Sequence, residues 1–128
     1  MGNDAGLRVL LVEDDEDNRE LMTEVLEAAG YEVLAASSGA EGLKALSERS
    51  VDVVVTDVGM PGMGGLEMAR AAKRIAPSVP VVVVTGYSER DDITSARGHE
   101  VDAVLVKPVD PDALAAVVAQ MALARGAR

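Results

Sequence analysis

Apolar and polar positions fall into blocks of two kinds along this chain. Short Val- and Leu-rich runs lie at Leu7–Val12, Tyr31–Ala36, Val51–Thr56, Val79–Thr85 and Ala103–Val106. The first, third and fourth are apolar over most of their length, the pattern of strands covered on both faces. Between the runs lie helix-like segments, Asp17–Ala29, Ala40–Glu48, Gly65–Ala76 and Glu89–Arg97, and Pro111–Ala124 follows the last run. Leu21, Val25 and Ala29 repeat at helical spacing. Start and stop signals agree with these bounds. Asp17 precedes Glu20, and Ser38 precedes Glu41, in capping-box spacing. Gly30 ends the first helix, and Asp110 stands as N-cap before a proline at the first helical position. Strand–helix alternation of this kind predicts an α/β fold: a doubly wound parallel sheet of five strands, right-handed crossovers, and helices on both faces.

Composition narrows the classes. At 128 residues the chain suits one domain, expected over 7–124, with 1–6 and 125–128 as flexible ends. Aromatics are limited to Tyr31 and Tyr87, so the core is built from Val, Leu, Ala, Ile and Met. The formal charge of −10 argues against nucleic acid, whose phosphates are bound by clustered Lys and Arg, and against anionic membrane surfaces. It fits a divalent cation better. With no cysteine there are neither disulfides nor thiolate zinc sites. No signal-peptide core and no apolar run near ~18 residues is present, so a cytoplasmic location is expected.

In an open α/β sheet, ligands bind beyond the carboxyl ends of the strands. The first run ends in Glu13, Asp14 and Asp15, the third in Asp57, the fourth in Thr85, and the fifth in Lys107 and Pro108. Four of five strands thus deliver a polar group to one edge. Carboxylates gathered there repel: at about 4 Å and an effective dielectric near 20, each pair costs on the order of 4 kcal/mol. A hard divalent ion removes that penalty. Mg²⁺ takes one or two carboxylates, several waters and a phosphate. Lys107 offers a mobile positive charge for a phosphoryl oxygen or for Asp57, and Thr85 a hydroxyl donor.

The chain resembles the response-regulator receiver family of bacterial two-component signalling over essentially its full length. The matching text is Leu10-Leu11-Val12-Glu13-Asp14-Asp15, Thr56-Asp57-Val58-Gly59-Met60-Pro61-Gly62-Met63, Val84-Thr85-Gly86 and Val106-Lys107-Pro108. The resemblance implies a flavodoxin-like (βα)5 fold of strand order 2-1-3-4-5. It implies that Asp57 is phosphorylated by a sensor histidine kinase or histidine phosphotransfer protein. Asp14 would hold Mg²⁺ directly, Glu13 largely through water, and the Gly59 carbonyl would complete the protein's share. Thr85 and Lys107 would grip the phosphoryl oxygens, across a cis Lys107–Pro108 peptide. The output would be a downstream protein target or a fused domain, and kinase docking is expected around Asn18, Arg19 and Met22. Such a chain is a signalling switch, with autocatalytic phosphotransfer and autodephosphorylation as its chemistry.

Three positions depart from the family pattern. Val104 stands where an aromatic switch residue is common, three positions before the lysine, and Tyr87 is the switch candidate in its place. Gly64 replaces a frequent Asp, and Glu100 a frequent Gly. Asp15 is expected to face solvent or cap a helix, and His99 to be a solvated loop residue. Met60 and Met63 are expected to pack at the sheet edge. Two other functions compete. An Mg²⁺-dependent aspartyl phosphatase of the haloacid dehalogenase kind would need a second Asp where Gly59 stands. A pseudo-receiver used only for docking would not need five competent site residues. Dinucleotide binding fails for lack of Gly-x-Gly-x-x-Gly after the first strand.

Overall fold

The protein, in a computed structural model, is described over residues 7–59, 62–86 and 101–126. The order is β1 (Arg8–Val12), α1 (Glu16–Ala28), β2 (Glu32–Ala36), α2 (Gly39–Glu48), β3 (Val53–Asp57), α3 (Gly65–Ile75), β4 (Val81–Thr85), β5 (Ala103–Val106) and α4 (Pro111–Gly126). All strand pairs are parallel, and the sheet order is β2-β1-β3-β4-β5. The expected helix at Glu89–Arg97 lies outside the described residues, as do Met60, Tyr87, His99 and Glu100.

Period-two alternation divides the core. Val9, Leu11, Val53 and Val55 point to one side, where Met22 and Leu26 of α1 and Leu114 and Val118 of α4 cover them. Leu10, Val12, Val54 and Val83 point to the other, against Leu46 of α2 and Met68, Ala69 and Ala72 of α3. The three central strands are buried along nearly their whole length, whereas the edge strands β2 and β5 are half-covered. That is the reason the middle runs contain few polar residues. Small α2 residues let its axis come close: a Cβ built at Gly42 would lie 2.7 Å from Val12 Cγ2 and 3.2 Å from Met68 Cε. Val12 is stiff at χ1 and fully buried, so it cannot yield. Gly42→Ala is therefore expected to lower stability by about 1–2 kcal/mol, overpacking outweighing the better helix propensity of Ala. A urea midpoint at or above wild type would count against this packing.

Helix ends show where local signals decided. Ser38 accepts from Glu41 N–H at 3.1 Å, and Glu41 accepts in turn from Ser37 N–H at 2.6 Å. Asp110 accepts from Ala113 N–H at 3.0 Å. Gly30 follows α1 at φ +102°, a left-handed conformation open to glycine. The first helix begins one residue earlier than the Asp17 expectation. Its N-cap is Asp15, which accepts from Asn18 N–H at 2.8 Å, so Glu16 and Asp17 sit in the first turn of a helix whose dipole favours them there. The last helix continues through Arg125 to Gly126, past the expected loosening after Ala124, because no breaker intervenes before that glycine. Among the described residues, no helix is long and apolar enough to cross a membrane.

Candidate functional site

The carboxyl edge of the sheet gathers the predicted residues. Glu13 follows β1 and is only 2% exposed; its N–H donates to Ala36 O, extending the β1–β2 ladder by one residue. Asp14, next along, is exposed. Asp57 is the last residue of β3 and is 5% exposed. Carboxylate oxygens of Glu13, Asp14 and Asp57 lie within 4.8 Å of one another. From the other side, Lys107 Nζ approaches Asp57 Oδ1 to 3.0 Å. Gly59 N–H points at the same oxygen in a long contact of 3.4 Å. The Lys107–Pro108 peptide is cis.

Electrostatics follow from this crowding. With all three carboxyl groups ionised, three carboxylates against one ammonium leave two negative charges where Glu13 and Asp57 are buried. Burial pushes the Glu13 carboxyl up to about 7; the Asp57 charge and a hydrogen bond with Asp14 add to the rise, against the Asp15 N–H and the Lys107 charge. Burial works to lower Lys107, but its hydrogen bond to Asp57 and the charges of Asp57, Glu13 and Asp14 outweigh it, and its pKa lies above the ordinary lysine value. The donor set is all hard oxygen with a deficit of two positive charges. A divalent cation such as Mg²⁺ fits it.

Of the three switch candidates, Thr85 and Val104 lie within the described residues. Thr85 is fully buried at the end of β4, paired with Val106, and its hydroxyl donates to Gly86 O at 3.2 Å instead of reaching Asp57. Val104 pairs with Val83 and packs half-buried against the core on the α2–α3 side. Tyr87, the proposed replacement for the missing aromatic, lies outside the described residues. Met63 of the β3–α3 loop fills the notch left by Gly39, where a Cβ would stand 2.8 Å from its Sδ. Beside the site a hollow of about 440 Å³ opens between Asn18, Leu21 and Met22 of α1 and Lys107, Pro108 and Val109. Leu21 is its exposed apolar residue, at 54%, whereas Met22 is turned into the core.

Other interactions were not legible in the chain. Lys73 Nζ contacts Asp102 Oδ2 at 2.8 Å and Val79 O at 3.0 Å, while Val81 N–H donates to the same Asp102 oxygen. This pins α3 and β5 to β4 at the edge opposite the site. Arg19 turns back onto the acid loop. Neither has a motif of its own.

A doubly wound sheet of order 2-1-3-4-5 with paired acids, a strand-end aspartate and a lysine at one edge defines a flavodoxin-like receiver. The family model of the response regulator receiver domain matches residues 9–119. Among curated proteins, the chain is 38% identical over 106 residues to the transcriptional regulatory protein GlrR of Escherichia coli, covering 83% of this chain and 24% of that protein. It is 40% identical over 81 residues to the response regulator receiver protein CpdR of Brucella abortus, covering 63% of this chain and 68% of that one. A response regulator receiver domain protein from Clostridium thermocellum superposes with a TM-score of 0.90 at 31% identity, covering 94% of this chain and 98% of that structure. The chain belongs to the response regulator receiver family. It spans about a quarter of the length of several curated relatives, 24% in the case of GlrR.

Proposed function

We propose that this receiver accepts a phosphoryl group on Asp57 and changes conformation in response, acting as a switch and not as an enzyme. The observation that carries the reading is the pairing of a buried Asp57 with Lys107 at 3.0 Å beside two further carboxylates. Asp14, Glu13, Asp57 and the Gly59 carbonyl would hold Mg²⁺, which when bound supplies charge neutralisation at the phosphoryl oxygens. An Asp57 oxygen attacks phosphorus of a phosphohistidine, the P–N bond breaks with its electron pair returning to the imidazole, and an acyl phosphate forms. Lys107 moves its positive charge from the carboxylate toward the new phosphoryl oxygens. Thr85, now bonded to Gly86, turns its hydroxyl to the same oxygens and carries the change into the β4 end. Water attack on the acyl phosphate resets the switch.

The donor is a sensor histidine kinase or histidine phosphotransfer protein in the cytoplasm, and the receiver unit over 7–124 acts on a protein target or a fused output domain. Between Glu13 and Glu27 stand eight carboxylates and one arginine, net −7 of the chain's −10. A partner meeting α1 and the hollow beside it therefore needs a basic surface with an apolar projection.

Incubation with acetyl phosphate and Mg²⁺, followed by intact mass spectrometry, tests this reading. One phosphoryl adduct is expected, lost when EDTA is present. No adduct would favour the docking-only alternative, and continuous phosphate release from unrelated phosphoesters would favour a phosphatase.

A further inference from the structure

The acid loop has a mechanical problem. Asp14 is exposed, so packing does not hold its carboxylate, which lies within 4.8 Å of the carboxylates of Glu13 and Asp57. What fixes the loop is its backbone. Glu13 N–H is tied to the sheet through Ala36 O at 3.0 Å. Asp15 N–H donates to Glu13 Oε2 at 3.1 Å, and Asp15 caps α1. Arg19 reaches back from the second turn of α1 to the carbonyls of Glu13 and Asp14. Its Nη1 donates to Glu13 O at 2.9 Å and lies 3.4 Å from Asp14 O.

A cation near a helix N-terminus opposes the helix dipole, so this guanidinium is not there to support α1. It is half-buried and directed at carbonyl oxygens, with one terminal nitrogen, Nη1, shared between two adjacent peptides. We infer that Arg19 is a positioning residue: it holds the Glu13 and Asp14 peptides so that their carboxylates are set for the divalent ion before the ion arrives. This rests on the metal-site reading above, but the hold itself is a property of the metal-free protein.

A holding contact and a bare positive charge at Arg19 have opposite effects on metal binding. As a mere positive charge near the site, Arg19 would repel Mg²⁺, and its removal would tighten binding. As a positioning residue, its removal loosens the loop and weakens binding. Outer contacts of this kind are worth about tenfold or more in metal affinity. We therefore expect Arg19→Ala and Arg19→Gln to raise the Mg²⁺ Kd by about tenfold, read from amide shifts of Asp15 and Gly59 in an NMR titration. Arg19→Lys, which keeps the charge on a shorter side chain, should fall between them and wild type. In metal-free buffer, hydrogen exchange at the Asp15 amide should accelerate in all three, with the amides of Val54 and Val83 in the central strands unchanged. A Kd in Arg19→Ala equal to or tighter than wild type, or an Asp15 amide as protected as before, would overturn the proposal. If wild type binds no Mg²⁺, the metal-site reading fails, and the exchange data alone still decide whether Arg19 holds the loop.

Discussion

Asp57→Asn takes up no phosphoryl group from acetyl phosphate and Mg²⁺, while keeping the wild-type fold. The expectation follows from position and charge together. Asp57 ends a strand whose five residues are all buried, so its backbone is fixed by both neighbouring strands. Its carboxylate faces Lys107 and the two other acids. An amide of the same shape keeps the packing but is not a nucleophile. It also removes one of three mutually repelling charges. Lys107 is 38% exposed and can turn its ammonium to water once its partner is neutral. In metal-free buffer the variant should therefore unfold in urea at or above the wild-type midpoint. An undiminished adduct in Asp57→Asn would move the acceptor elsewhere, and a large loss of stability would mean that Asp57 serves the fold more than the chemistry.

The second expectation concerns pH and metal together. Glu13 has a folded pKa of about 7 against 4.5 in the unfolded chain. Below pH 4.5 it is protonated in both states and costs nothing. As pH rises toward 7, the unfolded chain releases this proton while the folded one retains it, so stability falls. Above 7 the loss is complete, on the order of 3 kcal/mol for this one group. Metal-free protein should thus be less stable at pH 8 than at pH 6, and Glu13→Gln should flatten that slope. A divalent ion needs the ionised carboxylate, so Mg²⁺ should bind more tightly as pH rises through 7 and release a proton on binding below it. Urea titrations at several pH values, with and without Mg²⁺, read both effects. A slope unchanged in Glu13→Gln would assign it to another group.

Much of this was visible in the chain because it depends on near neighbours. Runs of apolar residues, the Ser38 and Asp110 caps and the glycine at 30 are local signals, and strand–helix alternation leaves few topologies for a parallel sheet. The acids after the first run, the aspartate after the third and the lysine after the fifth were legible as a set, since strand ends in such a sheet share one edge. The start of α1 was misplaced by one residue and its cap by two because two acidic candidates, Asp15 and Asp17, compete for the cap, and only the turn of the acid loop chooses between them.

By itself, the sequence determined the class of fold, the two faces of the sheet and the identity of the groups at its carboxyl edge, because side-chain period and chain direction fix these things. Distances and partners were left to the tertiary structure. It brought Lys107 to 3.0 Å from Asp57, turned Thr85 toward Gly86, folded Arg19 back onto the carbonyls of Glu13 and Asp14, and set Lys73 against Asp102. Each of these contacts joins groups whose spacing depends on how strands and helices pack. Burial did the same for Glu13: an ordinary carboxyl in the chain becomes one that titrates near 7 only when β1 and its neighbours close around it.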